Sequence, residues 1–266
     1  MGKCINITSN ASAYNGVAYN AQITMFDVDI SDTENYLNVP SLYNIALPPA
    51  YSAGARVHSN SWTTYYMSSY TSKALDVDEF MFDNPDFLFV AGAGNSGTEG
   101  FNSVTAPAVS KNAITVGASS EDHNNLVYFS SLGSAYDSAF KPNLVTPGRN
   151  LMSAGVHLPN QTESCNVQIS SGTSMATPIA AGSAILIRHY LENASFWAQY
   201  CNASYRSCPV VVPSESDPDT SDFVSAALLR AVLIGSAQPM EMYESNEDCV
   251  IPETQLATPP DNFQGK

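Results

Sequence analysis

Short, uninterrupted apolar runs bounded by turn residues restrict the fold of this chain more than any other feature. FLFVA at 87–91 is one such run, and AITVG at 113–117 is another. A strand without polar alternation must be covered on both faces, which is typical of the parallel sheet of an α/β protein. Residues 72–82 have the periodicity of a helix, which Asn84-Pro85 ends. The pattern predicts a three-layer, doubly wound, mostly parallel sheet with helices on both faces.

Further segments complete the expected organisation. Residues 21–28 have the pattern of a strand, and 177–191 and 225–233 have that of helices, the first of them buried on most sides. The 266 residues, 44% of them hydrophobic, are enough for one core. We therefore expect one domain over 1–235 with a surface insertion rich in Ser, Pro, Asp and Asn over 193–222. A polar, proline-bearing tail should follow over 236–266.

Acidic residues dominate the charged composition. The chain has 25 Asp and Glu against 10 Lys and Arg, a formal net charge of −15 at pH 7. Such a surface repels a phosphate backbone, which argues against nucleic acid as a partner. No run approaches the roughly 18 apolar residues of a membrane span. Neither a zinc-type Cys/His spacing nor a convincing calcium-type Asp/Glu loop occurs, so we expect no metal and no other cofactor.

Five N-x-S/T triplets favour a secreted glycoprotein. They lie at Asn6, Asn10, Asn160, Asn193 and Asn202. Because such triplets are the acceptors of N-linked glycans, the expected location is extracellular or the lumen of the secretory pathway. The five cysteines are an odd number, and the sequence leaves their pairing open.

A serine stands where a helix is expected to begin. In the string GTSMATP at 172–178, small neighbours surround Ser174 and a proline follows four residues later. A serine in the first turn of a helix meets free backbone N–H groups and the positive end of the helix dipole, which stabilise negative charge nearby. This suits a nucleophile. By itself, however, the string is equally compatible with a simple helix N-cap, the commoner use of serine there.

The longer string resembles a known family. GTSMATP followed by AAG, residues 172–182, resembles the nucleophile segment of the subtilisin-like serine peptidases, with Ile179 where a histidine often stands. FVAGAGNSG at 89–97 resembles the segment that carries the family's oxyanion asparagine. ITVGAS at 114–119, FSSLG at 129–133 and KPNLVTPG at 141–148 resemble further blocks in the family's order, with Asn143 and Thr146 as departures.

The resemblance implies a serine endopeptidase that acts on peptides or proteins, and it implies roles for particular residues. Ser174 is the expected nucleophile, and Asn95 is the expected oxyanion donor with support from Thr173. The residues expected to pair with the substrate backbone or to wall its pocket follow two strand ends; they are Ser61, Trp62, Thr63, Ala93 and Gly94. Thr63 stands where the family generally has glycine, which changes the expected shape of that pocket.

The base and its orienting carboxylate are not found by motif. The family places D-S/T-G and H-G-T-H ahead of the serine, and neither string occurs here. Asp29, His58 and Ser174 have the family's order, but the sequence around Asp29 and His58 does not match. GVAYNA at 16–21 resembles the stretch that follows the family's histidine helix, and FQG at 263–265 resembles the start of its closing strand. We expect a partial domain whose Asp and His lie upstream and which is inactive alone.

Two other classes of protein compete with this interpretation. GTSMA approximates the G-x-S-x-G of an α/β-hydrolase, whose histidine must follow the serine. His189, the later histidine, lies 15 positions along the same helix, about 22 Å away at 1.5 Å per residue. The second class is a pseudo-protease or truncated product that serves as a binding module. In-frame D-x-G and H-G-T-H motifs ahead of Met1 would favour the peptidase, whereas a true start at Met1 would favour the binding module.

Overall fold

The structure is a computed structural model that describes residues 15–28, 37–64, 68–121, 125–133, 140–155, 167–193, 195–197, 224–240 and 242–243. Several residues considered above lie outside these ranges: Asp29, all five cysteines, most of the 193–222 segment and the triplets at Asn6, Asn10, Asn160 and Asn202. Two further histidines, His123 and His157, also lie outside them.

A mostly parallel sheet forms the centre of the molecule. Its strands are β1 (Val57–Asn60), β2 (Leu88–Gly92), β3 (Ile114–Ser119), β4 (Asn125–Leu126), β5 (Leu144–Pro147) and β8 (Met242–Tyr243). The order is β1-β2-β3-β4-β8, and β5 also pairs with β3. The pairs β1–β2, β2–β3 and β3–β5 are parallel, whereas β3 and β4 are antiparallel. The fold is the α/β class that the apolar runs predict.

The two central strands are buried along their whole length. Every residue of β2 and of β3 is buried, as a strand covered on both faces requires. The predicted runs at 87–91 and 113–117 differ from these strands by one or two residues at their ends. Val90, Ile114 and Val116 are among the largest fully buried side chains, so the core lies around β2 and β3.

Helices pack against this sheet. A π-helical segment (Leu42–Ala46) leads into α1 (Leu47–Ser52), and α2 (Ser72–Asp83) follows β1. The long helix α3 (Thr173–Leu191) contacts β1, β2, β3 and β5, and α4 (Ala226–Ser236) packs against it. Ser225 caps α4 by accepting a hydrogen bond from the N–H of Leu228 at 3.1 Å. All three predicted helices are confirmed. None of the described helices is long and apolar enough to cross a membrane.

Two local expectations are wrong. Residues 21–28 form no strand, and Ile23 and Met25 are 61% and 89% exposed. A strand needs a neighbour to bond to, and none of the described strands pairs with this segment. The long helix begins at Thr173 rather than at Thr177, so Pro178 lies inside the helix and not in its first turn.

A small antiparallel ribbon completes the described structure. β6 (Leu151–Ala154) pairs with β7 (Val167–Ser170), with Met152 opposite Ile169. β7 leads directly into Ser171 and Gly172 at the start of α3. The ribbon therefore delivers the chain to the segment that carries Ser174.

Candidate active site

Three strand ends meet the first turn of α3. Ser61 follows β1, Asn95 lies three residues after β2, and Gly148 follows β5. Each is hydrogen-bonded to this turn: Ser61 to Ser174, Asn95 to Thr173, and the carbonyl of Gly148 to the N–H of Gly172 at 2.7 Å. Because the carboxyl ends of parallel strands share one edge of the sheet, residues distant in sequence form one site there.

Thr173 determines which way the Asn95 carboxamide points. Asn95 Oδ1 accepts hydrogen bonds from the N–H of Thr173 at 2.9 Å and from Thr173 Oγ1 at 3.1 Å. Thr173 Oγ1 also accepts from the N–H of Gly94 at 3.3 Å. With its oxygen occupied by two donors, the amide presents its NH₂ group on the other side.

Gly172 leaves an open space between two hydrogen-bond donors. A Cβ at this position would lie 3.4 Å from Asn95 Nδ2 and 3.6 Å from the backbone nitrogen of Ser174. The Ser174 N–H, in the first turn of α3, has no acceptor within its own helix. Gly172 has a φ of 149°, a conformation that residues with a side chain rarely adopt. The glycine therefore keeps free a position within reach of both N–H donors.

Ser174 and Ser61 exchange two hydrogen bonds. Ser174 Oγ donates to the carbonyl of Ser61 at 3.1 Å, and Ser61 Oγ donates to the carbonyl of Ser174 at 3.0 Å. Ser174 is half-buried, so its hydroxyl remains accessible beside the exposed Ser61. The two residues are 113 positions apart in the chain.

Pro178 explains why the Ser174 carbonyl is available. In an α-helix this carbonyl would accept from the N–H four residues later, and that residue is proline, which has no N–H. The hydroxyl of Ser61 takes the place of the missing donor. Pro178 thus costs the helix one hydrogen bond, and the side chain of Ser61, directly after β1, replaces it.

The residues expected to bind substrate lie beside the first turn of α3 and differ in how far they are buried. Trp62 and Thr63 are half-buried, and the Asn60 Nδ2 donates to the carbonyl of Trp62 at 2.7 Å. Ala93 is fully buried and its N–H donates to the carbonyl of Val116, so its side chain and N–H are both engaged within the fold. Gly94 is half-buried next to Asn95.

A cleft of about 320 Å³ adjoins the Asn95 side of the site. It begins at Asn95 and Gly172, and its other walls are Tyr128, Phe129, Arg149, Asn150 and Ser171. Ser61 lies at the end of β1 and the cleft lies towards β5, on the other side of Asn95 in the order of the sheet. Space for a ligand is therefore available beyond the two N–H donors.

Neither described histidine acts on Ser174. The ring of His58 stacks on Phe89 with 4.5 Å between centroids, and the register places these residues side by side on β1 and β2. Burial lowers the pKa of His58 to about 4. His189 lies in the last turn of α3, at the end of the helix remote from Ser174. Within the described residues, the Ser174 hydroxyl is paired with a carbonyl and not with an imidazole.

No group of His, Cys, Asp and Glu suited to a metal ion occurs among the described residues. The site is instead made of hydroxyl groups, a carboxamide and backbone N–H groups. Such a set suits nucleophilic attack with electrostatic stabilisation of an oxyanion.

The structure brings together Ser174, Asn95 and Thr173, which the sequence predicts as site residues, and it adds contributions of Gly172 and Pro178 that the sequence does not predict. Gly172 is a small neighbour of Ser174 in the sequence, and a glycine directly before a helix is also a signal of an unusual φ. The role of Pro178 depends on where α3 begins, and helix boundaries are the least certain part of a prediction from periodicity. The hydroxyl of Ser61 had no local signal, since its partner is far away in the sequence.

Comparison with known proteins gives one family match and several partial relatives. A model of the subtilase family matches residues 2–247. The serine protease/ABC transporter B family protein tagD of Dictyostelium discoideum is 26% identical over 315 residues, 85% of this chain and 16% of tagD. Pyrolysin of Pyrococcus furiosus is 31% identical over 212 residues, 68% of this chain and 14% of pyrolysin. The chain thus spans a small part of each relative.

Among solved structures, the patellamide maturation protease PatA shares 22% identity with this chain. The TM-score is 0.44, and the match covers 70% of this chain and 66% of the other.

Proposed function

The chain belongs to the subtilase family of serine proteases, and on that premise we propose that it carries the nucleophile and the oxyanion site of a serine endopeptidase. Ser174 Oγ attacks the carbonyl carbon of the scissile peptide bond. Asn95 Nδ2 and the Ser174 N–H hold the oxyanion that forms. The observation that carries this proposal is the anchoring of Asn95 Oδ1 by two donors of Thr173, which leaves Nδ2 available 3.4 Å from the Cβ position at Gly172.

Thr173 supports this site as a positioning residue. Its N–H and hydroxyl both bond to Asn95 Oδ1, and its side chain is 3% exposed. A donor preorganised towards the developing charge stabilises the transition state without rearrangement, which is why orientation of the amide matters as much as its presence. The charge also lies at the N-terminal end of a 19-residue helix, where the dipole favours it.

The substrate backbone is proposed to pass between the ends of β1 and β2. Ser61, Trp62 and Thr63 continue β1, and Gly94 follows β2 on the other side. A peptide added there as a strand uses the carbonyl of Ser61, to which the Ser174 hydroxyl donates in this structure. The cleft beyond Asn95 then takes the part of the substrate on the leaving-group side. Ala93, which is fully buried, supports this wall from the core.

The base is proposed to come from residues that precede this chain in the complete protein. Among the described residues, His58 is stacked in the sheet and His189 lies at the far end of α3. Loss of the base from such a triad costs on the order of a millionfold in turnover. The 266-residue chain alone is therefore proposed to have no measurable peptidase activity. The N-x-S/T triplets support passage of the complete protein through the secretory pathway.

A phosphonofluoridate probe tests the nucleophile without requiring full turnover. The serine oxygen bonds to phosphorus, fluoride leaves and the serine proton passes to a base, for which dissolved imidazole substitutes. Intact-mass measurement over time should show one adduct whose formation imidazole accelerates and whose position is Ser174. Asn95→Ala should slow the labelling by about 10²-fold, because it removes one oxyanion donor. Ser183→Ala, on the same helix but bonded to the Ile179 carbonyl, is the matched control and should label normally.

Labelling that persists in Ser174→Ala would contradict the assignment of the nucleophile. Hydrolysis of a labelled casein by the 266-residue chain, abolished in Ser174→Ala, would instead show that this chain contains its own base. The two results are independent, so the nucleophile and the location of the base are tested separately.

A binding module is the second candidate, and one observation favours it. The Ser174 hydroxyl is occupied by the Ser61 carbonyl, and neither described histidine reaches it. Such a module would hold peptides in the groove without cleaving them. Peptide binding that is unaffected by Ser174→Ala, together with no phosphonofluoridate labelling in imidazole, would support this second function over the first.

A further inference from the structure

We propose that Asn193 carries an N-linked glycan. The triplet Asn193-Ala194-Ser195 follows directly after α3, and its asparagine is the one among the five triplets that lies in the described residues. The proposal rests on passage through the secretory pathway and not on catalysis. In the reaction, the side-chain nitrogen of Asn193 bonds to the anomeric carbon of an oligosaccharide, loses one proton, and releases a lipid diphosphate from the donor.

The side chain of Asn193 has a fixed orientation. Its Oδ1 accepts hydrogen bonds from Ser195 Oγ at 2.8 Å and from the N–H of Phe196 at 3.0 Å. The N–H of Trp197 donates to the Asn193 carbonyl at 3.1 Å. Asn193 therefore caps the helical turn over 195–197 through its oxygen alone. Within the described part of the chain, its Nδ2 donates no hydrogen bond.

This geometry is compatible with a glycan in the folded protein. Glycosylation replaces one hydrogen on Nδ2 and leaves Oδ1 unchanged as an acceptor. The cap therefore survives the modification, and no hydrogen bond to a described residue is lost. Asn193 is half-buried and Ser195 is exposed, so the acceptor asparagine and the hydroxyl residue both reach the surface.

Aromatic rings beside the triplet offer a surface for the first sugars. Tyr190 and Phe196 are 50% and 40% exposed, and their ring centroids are 5.3 Å apart. The buried Trp197 packs against both rings and donates from Nε1 to the Tyr190 carbonyl at 3.0 Å, which ties the cluster to the end of α3. The apolar face of a sugar packed on these rings would cover exposed aromatic surface.

The glycan would not obstruct the proposed active site. Asn193 is 19 positions after Ser174, and the helix between them rises by roughly 28 Å at 1.5 Å per residue. The modification and the peptide groove therefore lie at opposite ends of α3.

Secretion of the full chain from a eukaryotic host tests the proposal. Glycan release by an amidase in H₂¹⁸O converts each modified Asn to labelled Asp, which peptide mass spectrometry locates. We expect Asn193 to be labelled in most molecules, with complete loss in Asn193→Asp and Ser195→Ala and retention in Ser195→Thr. Asn193→Asp is the matched control for folding, because its carboxylate still accepts the two capping hydrogen bonds.

An unlabelled Asn193 in the secreted protein would overturn the proposal, whatever the state of the other triplets. Labelling at the other triplets in that case would leave the secretory route standing. Because the readout is a mass and not an activity, it is independent of whether Ser174 is a nucleophile.

Discussion

Asn95 shows how a single side chain depends on its neighbours for its chemistry. Its amide could present either the oxygen or the NH₂ to a substrate, and the two hydrogen bonds from Thr173 decide between them. Gly172 contributes by having no side chain. The space that a methyl group would fill is the space between Asn95 Nδ2 and the Ser174 nitrogen. At the scale of the residue, the absence of a Cβ at Gly172 therefore matters as much as the two N–H donors of Asn95 and Ser174.

Gly172→Ala tests this space. The added methyl group would occupy the proposed oxyanion position, so imidazole-assisted labelling of Ser174 should fall by about 10²-fold or more. The positive φ should also lower the free energy of unfolding by about 1–3 kcal/mol. Gly54→Ala is the matched control, because Gly54 has a φ of +96° with nothing within 4 Å of its added Cβ. Gly54→Ala should lose stability and keep normal labelling of Ser174. Equal labelling of Gly172→Ala and Gly54→Ala would contradict the proposed oxyanion position beside Gly172.

The buried ring of His58 should make the free energy of unfolding depend on pH in the acidic range. Burial holds the pKa of its ring at about 4 in the folded protein, against 6.5 for an ordinary histidine. Between these values the unfolded chain binds a proton that the folded chain does not, so stability falls as pH decreases through this window. His58→Phe keeps the stacking on Phe89 and removes the proton. Urea unfolding at pH 6.5 and pH 4 should show a smaller loss of stability for this variant than for the unaltered protein, and an identical loss would contradict the stacked, neutral ring.

At the scale of the element, α3 lacks one backbone hydrogen bond near its start, and a side chain from outside the helix replaces it. Pro178 removes the donor for the Ser174 carbonyl, and Ser61 at the end of β1 supplies another. Thr177 Oγ1 donates to the Thr173 carbonyl and Thr146 Oγ1 to the Ala176 carbonyl, at 2.7 Å each. Side-chain hydroxyls thus engage several carbonyls of the first turns. The end of the helix that carries Ser174 is held by the strands around it.

A double-mutant cycle tests the exchange between Pro178 and Ser61. Ser61→Ala should lower the free energy of unfolding by about 0.5–1.5 kcal/mol, because it leaves the Ser174 carbonyl without its donor. Pro178→Ala restores a backbone N–H four residues after Ser174. In that background, Ser61→Ala should have little further effect on unfolding measured in urea. Strictly additive losses would show that the two residues do not share this carbonyl.

At the scale of the whole molecule, this acidic chain buries one lysine, Lys141, in its interior. The formal net charge is −15, yet Lys141 is 2% exposed and its Nζ donates to two neutral oxygens, the Ala113 carbonyl and Asn143 Oδ1, at 3.0 Å each. Burial, with a smaller effect of Arg230 and an opposing effect of Asp78, lowers the pKa of Lys141 to about 7. Asn143 is one of the two departures in the block 141–148, at a position where the block it resembles has aspartate. Among the described residues, the Lys141 Nζ therefore hydrogen-bonds to neutral oxygens and to no carboxylate.

Lys141 gives the global stability a pH dependence that Asn143→Asp should remove. An ordinary lysine has a pKa of 10.5, so between pH 7 and 10.5 the unfolded chain binds a proton that the folded chain does not. The Lys141 contribution therefore makes the unfolding free energy rise with pH over this window. A carboxylate at 143 should raise the pKa of Lys141, flatten the slope and add about 1–3 kcal/mol of stability at pH 7.

Lys141→Met is the matched variant, since it removes the titrating group and should also flatten the slope. Chemical unfolding at several pH values measures all three proteins. An unchanged slope in Asn143→Asp would contradict the pairing of the new carboxylate with Lys141.

Local features of the sequence determined the class of fold and predicted which residues form the site. Apolar runs such as 87–91 indicate buried strands because burial on both faces excludes polar alternation. Residues 172–182 predict the nucleophile segment because its small residues and its proline are contiguous. The strand predicted over residues 21–28 is wrong, because this segment pairs with none of the described strands.

Tertiary structure alone decided how these residues meet. The direction of the Asn95 amide depends on Thr173, 78 positions away, and the bond between Ser61 and Ser174 spans 113 positions. Neither contact leaves a trace in the neighbouring sequence, because a hydrogen bond depends on distance and angle in space and not on separation along the chain. The sequence specifies which groups are available, and the packing of α3 across the strand ends determines which of them face one another.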